Sequence, residues 1–308
     1  MVTVVLIVGF TSVKGSFLTL ANSKVLADFV VGNVAVAAAQ VMLMIVGEID
    51  LSVGQVYALA PYVMYLVYVR SQSFGVAIPV AILTAVVVGL VNGIVTVRLH
   101  VPSLIATLGM NYFLAGFIIY LSSGVYEIMP EQEPYTFLSG GGVIGGIAVT
   151  YLWTAAALII LAVVLARMRH GIWSIATGGN LFGAREVGVN IRRTKILNFI
   201  LASAIAGIWG IFIANRGFTF GASGVADPTL GGDTLTLESV AAAVIGGTSL
   251  MGGSGTIIGA FVGSLLIAVL QDGLILAGAG AFIYQTLLGL AIILSMVLNI
   301  QARKWARR

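Results

Sequence analysis

Long apolar runs separated by short polar stretches cover almost the whole chain. Within each run the apolar residues are continuous rather than alternating, which favours membrane-spanning helices over the strands of a membrane barrel. The pattern predicts an all-α polytopic membrane protein, a single domain over residues 1–308 with about ten transmembrane helices. The predicted spans are residues 2–13, 25–46, 54–69, 74–97, 101–121, 150–166, 196–214, 237–250, 256–270 and 281–298.

Two parts of this pattern are irregular. The first span is shorter than the ~20 residues that a membrane crossing needs, so we expect a short or truncated first helix, and the position of the true amino terminus stays open. Glycines interrupt the eighth and ninth spans. That part of the chain is therefore equally compatible with a broken or re-entrant segment.

The composition agrees with a location in the bilayer. Only 8% of the 308 residues are charged and the mean hydropathy is +1.10, whereas soluble domains carry roughly 25% charged residues. The 39 glycines are typical of membrane helices that pack through small side chains. The absence of cysteine excludes disulfides and thiolate metal sites. A net charge of +4 is typical of basic cytoplasmic loops and does not indicate nucleic-acid binding.

The charges also predict which side of the membrane each loop faces. The loop at 122–149 contains Glu127, Glu131 and Glu133 but no lysine or arginine, so we expect it outside. The segment 171–195 and the carboxyl-terminal tail are basic, and we expect both in the cytoplasm. With about ten crossings, both termini are then cytoplasmic.

The segment 171–195 is the longest stretch in which apolar residues do not dominate. Ser174 is predicted to cap a short helix, which the double glycine at 178–179 interrupts. Asn180 is predicted to cap a second helix, and Gly188 to end it. The segment is interpreted either as a solvated connecting loop or as a docking element for a cytoplasmic partner. The second interpretation accounts for its length, its helix and its charge together.

Residues 47–54, GEIDLSVG, place two carboxylates between two predicted spans. The glycines suit a sharp turn, and Asp50 or Ser52 can cap the helix that follows. The motif indicates either a capped turn at the membrane surface or a carboxylate that couples transport to an ion. The candidate residues of this turn are Gly47, Glu48, Asp50, Ser52 and Gly54.

The stretch 245–264 is the richest in glycine. It misses the dinucleotide-binding fingerprint by one residue and has no strand–helix–strand context. Three of its glycines recur every four residues, a pattern typical of close helix packing in membranes, with a backbone that lines the substrate path as the alternative. The candidate packing or pathway residues are Gly246, Gly247, Gly252, Gly253, Gly255, Gly259 and Gly263.

Other kinds of site are excluded or disfavoured by the sequence. No phosphate-binding P-loop motif occurs, so the chain cannot hydrolyse ATP in that way. His100 and His170 lack neighbours at metal-ligand spacing. Deep polar residues can bond a neighbouring helix or contact a hydroxylated solute. The candidates for the solute path are Asn33, Gln40, Asn92 and Asn111.

Three segments together resemble a known family: GEIDLSVG at 47–54, GGN with a downstream GVN at 178–190, and the long stretch at 237–274. The chain resembles, from about Val25 to Asn299, the permease subunits of bacterial ABC importers for monosaccharides, the ribose, xylose, arabinose and autoinducer-2 group. The resemblance implies the permease fold of the branched-chain amino acid/ribose type and a place in the bacterial cytoplasmic membrane. It further implies import of a pentose, a hexose or a related polyol, without catalysis by this chain.

The resemblance also implies partners. A second copy or a paralogous permease would complete the pathway. A cytoplasmic subunit would use ATP and Mg, while this chain binds no cofactor. A solute-binding protein would dock on the loops at 122–149 and 215–236. Its possible contacts are Glu127, Glu131, Glu133, Arg216, Asp227 and Asp233. A nucleoside or a branched-chain amino acid as the solute, and a stand-alone secondary carrier, are the alternatives.

The family's coupling helix, which sits in a groove of the ATPase, is implied at 178–188. Where relatives often carry a charged residue followed by two alanines, this chain has Leu181-Phe182-Gly183. We therefore expect Phe182 to fit a surface peculiar to its own ATPase. The candidate coupling residues are Gly178, Gly179, Asn180, Phe182, Arg185, Glu186 and Gly188.

Overall fold

The computed structural model describes residues 2–216, 220–221, 232–278 and 281–306, and it is almost entirely helical. The helices are α1 (Val2–Val13), α2 (Leu20–Ile45), α3 (Val53–Ser71), α4 (Phe74–Val97), α5 (Ser103–Ser122), α6 (Val149–Arg167), α7 (Arg169–Gly179), α8 (Leu181–Glu186), α9 (Ile191–Ala214), α10 (Gly232–Ile245), α11 (Ile257–Leu276) and α12 (Ala281–Ala306). The strands are β1 (Tyr126–Glu127), β2 (Val143–Ile144), β3 (Ile147–Ala148) and β4 (Phe220–Gly221), and one π-type turn spans Phe137–Gly141.

Within these ranges, six helices are long and apolar enough to cross a membrane, namely α2, α4, α5, α6, α9 and α11. Two shorter apolar helices are Val2–Val13 and Ile283–Leu294, the latter inside α12. This architecture confirms the predicted all-α polytopic class. The division into ten crossings stays a prediction.

Two helix boundaries differ from the bounds of the predicted spans. The eighth span was expected at 237–250, but α10 ends at Ile245 and has only 14 residues. Gly247 adopts a left-handed conformation (φ +92°) that ends the helix early. The basic residues 192–195 were expected in a loop, but α9 already begins at Ile191. Asn190 caps α9, since its side chain accepts the Arg193 N–H at 3.0 Å.

Helix α2 occupies the centre of the bundle. Its most apolar window is 89% buried, and it packs against α6, α7, α9, α10 and α11. A helix that is apolar on every face is stable only when neighbours surround it. The alanines of residues 35–39 allow these neighbours to approach closely.

Short strands join the loops at one end of the bundle. Strand β1 pairs antiparallel with β4, so the 122–149 loop contacts the 215–236 loop. Strands β2 and β3 form a hairpin around Gly145 and Gly146, whose positive φ angles suit a tight two-residue turn. Arg216 lies at this end, and it pairs with Asp28 of α2 at 2.7 Å.

Candidate functional site

The three motifs singled out in the sequence meet at one place in the bundle. Gly178, at the end of α7, lies against the carbonyl oxygen of Ile45 and the backbone nitrogen of Gly253. A Cβ on Gly178 would overlap the Ile45 oxygen. The Gly253 N–H donates to the same oxygen at 2.8 Å. We call Ile45, Gly178, Gly252 and Gly253 the glycine junction.

The glycine junction depends on two left-handed residues. Gly252 and Gly253 have φ angles of +84° and +79°. L-amino acids with a side chain rarely adopt such angles. A Cβ on Gly252 would also lie 3.1 Å from the Gly178 Cα and from the Gly47 nitrogen. The turn at 246–256 therefore touches the ends of α2 and α7 through backbone alone.

The short helix α8 has a defined cap at each end. The Asn180 side chain accepts the Gly183 N–H at 2.9 Å, which confirms the predicted N-cap. At the other end, Gly188 has φ +81° and its N–H donates to the Arg185 carbonyl at 3.0 Å. The Val189 N–H donates to the Ala184 carbonyl at 3.0 Å, which completes a Schellman motif. The predicted end at Gly188 is confirmed.

Ser174 does not cap a helix, so that prediction is wrong. It lies inside α7, where its hydroxyl donates to the His170 carbonyl and accepts from Asn198 Nδ2, both at 2.9 Å. The helix begins earlier, at Arg169. His170 Nε2 lies 3.3 Å from Asn198 Oδ1. Burial lowers the pKa of His170, which favours its neutral form.

Most side chains of α8 point away from the bundle. Phe182 is 80% exposed, and Arg185 and Glu186 are also exposed. Only Ala184 is buried and anchors the helix. An isolated helix of this size is not stable by itself, so its caps and this anchor hold an apolar side chain outward.

An ion pair connects the 47–54 turn to α9. Lys195 Nζ lies 2.5 Å from Glu48 Oε1, and the two side chains are 19% and 12% exposed. A mostly buried pair is costly to break from one side, because the remaining charge loses its partner. Glu48 thus holds the turn to α9.

Asp50 lies inside the bundle, in the turn that precedes α3. Its side chain is fully buried and accepts the N–H and the hydroxyl of Ser52, at 2.8 and 2.6 Å. Asn92 Nδ2 donates to its second oxygen at 3.1 Å. Along the axis of α4, Asn92 lies about 8 Å from the end of the helix at Val97. Asp50, rather than Ser52, therefore supplies the side-chain bond at the start of α3.

Neighbouring elements complete the hydrogen bonding of this buried turn. Gln40 Nε2 donates to the Asp50 carbonyl at 2.5 Å. The Leu51 N–H donates to Thr107 Oγ1 of α5 at 3.0 Å, and the Gly54 N–H to Thr236 Oγ1 of α10 at 3.0 Å. Gln40 and Asn92 thus bond the turn, as expected for polar residues that join helices.

A second polar cluster lies where α3, α5 and α10 meet. Asp233 Oδ1 accepts from Asn111 Nδ2 at 2.9 Å and from Gln55 Nε2 at 3.3 Å. Asp233 was expected in an outer docking loop, but it belongs to α10. Gln55 was not selected from the sequence, because a single glutamine after GEIDLSVG carries no motif. Asn33 is buried on α2 and takes no part in these two hydrogen bonds.

The predicted packing glycines fall into three sets. A Cβ on Gly259 would overlap the Gly246 carbonyl, and one on Gly263 would overlap the Ala242 carbonyl, so these glycines bring α10 and α11 together. Gly255 precedes α11 and faces Thr248 instead. Gly247 ends α10, and Gly252 and Gly253 belong to the glycine junction.

A cavity of about 590 Å³ opens beside α8, between the 47–54 turn, the α4–α5 connection and the start of α9. Its charged and titratable lining is Glu48, His100, Arg185, Arg192 and Lys195. Among the described residues there is no group of His, Cys, Asp or Glu that could hold a metal ion. Arg185, Arg192 and Lys195 outnumber Glu48 in this lining, so the cavity carries a net positive charge.

Comparison with known proteins places this geometry in a family. A family model described as the permease component of branched-chain amino acid transport systems matches residues 23–297. The xylose/arabinose import permease of Sulfolobus acidocaldarius is 38% identical over 277 residues, which cover 87% of this chain and 74% of that protein. The L-arabinose ABC transporter permease of Azospirillum brasilense is 31% identical over 312 residues, which cover 100% of this chain and 88% of that protein.

A third relative is the autoinducer 2 import system permease of Escherichia coli O157:H7, 30% identical over 278 residues, which cover 86% of this chain and 78% of that protein. No solved structure matches the chain significantly. The family match covers most of the chain, including all three motifs. The chain therefore belongs to this permease family, as a membrane-spanning translocation subunit of an ABC importer rather than an enzyme.

Proposed function

We propose that this chain forms the path by which an ATP-driven importer carries a sugar across the membrane. The solute is a pentose, a hexose or a related polyol, as the names of the xylose/arabinose, L-arabinose and autoinducer 2 relatives support. A separate ATPase binds ATP and Mg²⁺ and acts on the end that carries α8. A solute-binding protein delivers the sugar at the opposite end.

The observation that carries this proposal is the glycine junction. Gly178 contacts the last residue of α2 and the Gly253 backbone with no side chain between them. Close-packed interiors transmit displacement because they have little free volume. A force applied to the coupling segment therefore reaches the central helix and the α10–α11 hairpin directly.

The exposed face of α8 is the proposed contact with the ATPase. Phe182 has the size and exposure of an interface anchor, since aromatic side chains often carry much of the binding energy. Arg185 and Glu186 flank it as polar contacts. Asn180 and Gly188, which cap the two ends of α8, keep the backbone in the shape that presents Phe182.

The opposite end offers the proposed surface for the binding protein. The β1–β4 pairing joins the two polar loops there, so they form one surface. Glu131 and Glu133 are exposed on it and remain available as contacts. Arg216 is held by Asp28. Asp227 lies outside the described residues.

We further propose that the chain pairs with a second copy or a paralogous permease, and that both termini are cytoplasmic. The basic residues around α8 and the acidic loop at 122–149 support this orientation. The alternative solutes, a nucleoside or a branched-chain amino acid, keep the same architecture. The family description favours the amino acid among them.

The decisive experiment reconstitutes the chain in liposomes with its ATPase and its binding protein. We expect ATP-dependent uptake of a radiolabelled pentose or hexose by the complete complex and no uptake by this chain alone. Uptake by the chain alone, without ATP, would establish a secondary carrier instead. Nucleoside and leucine serve as competitor solutes, and preferential uptake of either would reassign the cargo.

A further inference from the structure

The cluster of Gln55, Asn111 and Asp233 lies at the middle depth of the bundle. Asn111 belongs to α5 (Ser103–Ser122), a helix that can span the membrane. A rise of 1.5 Å per residue places Asn111 about 12 Å from one end of α5 and about 17 Å from the other. Asp233 is bonded to Asn111 at 2.9 Å, so its carboxylate lies at nearly the same depth.

Asp233 is nevertheless exposed on the surface of the chain. A carboxylate at the centre of a bilayer is costly when it faces lipid, so such residues face water, a pathway or another protein. Its exposure at this depth therefore marks a face of the bundle that lipid does not cover.

Two buried acceptors next to Asp233 have no partner among the described residues. They are Gln55 Oε1 and Asn111 Oδ1. Residues Gln55 and Asn111 are only 3% and 7% exposed. Both side chains are aimed at the cluster, because their amide nitrogens donate to Asp233. Buried amide oxygens are normally satisfied in native proteins. A bound molecule that donates hydroxyl hydrogens would satisfy both oxygens.

The backbone around the cluster is that of two helices that begin inside the bundle. Helix α3 begins at Val53 and α10 at Gly232, and the Gly54 N–H donates to Thr236 Oγ1 at 3.0 Å. A Cβ on Gly232 would lie 2.7 Å from Gln55 Nε2, so the two helix starts touch. Transporters commonly place their solute sites at such interrupted helices near the membrane midplane.

We propose that Asp233, Asn111 and Gln55 form a contact site for the hydroxyl groups of the solute on the translocation path. One carboxylate and two carboxamides accept several hydroxyl hydrogen bonds, and within the described ranges no lysine or arginine donates to them. The site therefore suits a neutral polyhydroxylated solute. This inference rests on the proposed sugar import and assigns residues to it.

The first test uses the absence of cysteine from the natural sequence. Asp233→Cys in the complete complex is exposed to a charged, membrane-impermeant thiosulfonate, and labelling of this chain is read by mass spectrometry. Ile159→Cys is the control, since Ile159 is 63% exposed near the middle of α6 in an apolar patch. We expect labelling of the Asp233→Cys variant at least tenfold faster than labelling of the Ile159→Cys variant. Equal rates, or no labelling at position 233, would overturn the proposal.

The second test uses Asp233→Asn, which preserves shape and removes the carboxylate. Sugar uptake and ATP hydrolysis are measured together in proteoliposomes. A solute contact predicts at least a tenfold fall in sugar carried per ATP, with binding-protein-stimulated hydrolysis retained. Unchanged uptake, or an equal fall of both rates, would show that Asp233 is structural.

The two proposals fail in different ways. If the wild-type complex carries no sugar, the proposed cargo is wrong, whatever the labelling shows. If the wild-type complex carries sugar but Asp233→Cys is not labelled, the sugar passes elsewhere and only the site assignment is wrong.

Discussion

Gly178 and Gly253 lie backbone to backbone, and a Cβ on Gly178 would come within 2.6 Å of the Gly253 nitrogen. The same nitrogen donates its hydrogen to the Ile45 carbonyl at 2.8 Å. One hydrogen bond and one van der Waals contact thus join three segments that are far apart in the sequence. Because none of the three contributes a side chain, the contact cannot adjust by a change of rotamer.

The first prediction concerns these adjacent glycines. Gly178→Ala should lower ATP-dependent uptake at least tenfold, because the new methyl group forces α7 away from α2. Gly179→Ala is the matched control, since its Cβ would meet only Gly253 Cα at 3.9 Å, an ordinary contact. The uptake rates of both variants are measured in proteoliposomes that contain equal amounts of assembled complex. Similar activity of the two variants would show that the junction does not transmit force.

The second prediction concerns the end of α8. Gly188 has φ +81° with open space around it, so a substitution there acts through backbone strain and not through a clash. Gly188→Val should destabilise the C-terminal cap by about 1–2 kcal/mol or more, fray α8 and reduce uptake. Gly188→Asn should retain most activity, because asparagine tolerates the left-handed conformation. Equal loss in both variants would assign another role to this position.

The third prediction concerns the Glu48–Lys195 ion pair. Glu48→Gln leaves the ammonium of Lys195 without its partner and should cost about 1–3 kcal/mol. We expect a thermal midpoint a few degrees lower in detergent, measured by the monodisperse fraction after heating. The exchange Glu48→Lys with Lys195→Glu should restore part of the loss, whereas Glu131→Gln, at an exposed site, should leave the midpoint unchanged. A double variant that is no more stable than the single one would contradict an electrostatic role.

The fourth prediction concerns Phe182. Because its side chain is 80% exposed, Phe182→Ala should leave the fold intact. Loss of an interface anchor costs about 2 kcal/mol, which corresponds to roughly thirtyfold weaker binding of the ATPase. Tyr120→Ala provides the control, with a side chain that is 79% exposed at the far end of α5. Biolayer interferometry with the immobilised permease measures the affinity of the ATPase for both variants. An unchanged affinity for Phe182→Ala would show that this residue is not part of the interface.

The local features of α8 and its caps were predictable because they depend on neighbouring residues alone. Asn180 caps α8 and Gly188 ends it, since a short polar side chain and a residue without Cβ each fit one backbone geometry. The long apolar helices were predictable for a similar reason. Their residues require a lipid or protein environment at every position.

The contacts between distant segments could not be predicted in this way. The burial of Asp50 could not be predicted, because Asn92 bonds its carboxylate and Thr107 accepts the N–H of the next residue, and both come from helices that the turn does not adjoin in sequence. Asp233 was placed in a loop for the same reason. A carboxylate beside a predicted span is costly to place in lipid. Only the packing of α3, α5 and α10 shows how this carboxylate is bonded.

The burial of α2 on nearly every side has a mechanical consequence. A helix enclosed by five others cannot tilt or slide alone, because each displacement would require its neighbours to move as well. Any displacement that the glycine junction passes to α2 is therefore shared with these five helices. Spin labels on α2 and on any one of these neighbours should accordingly show the smallest distance changes within the chain, because the packed helices move together.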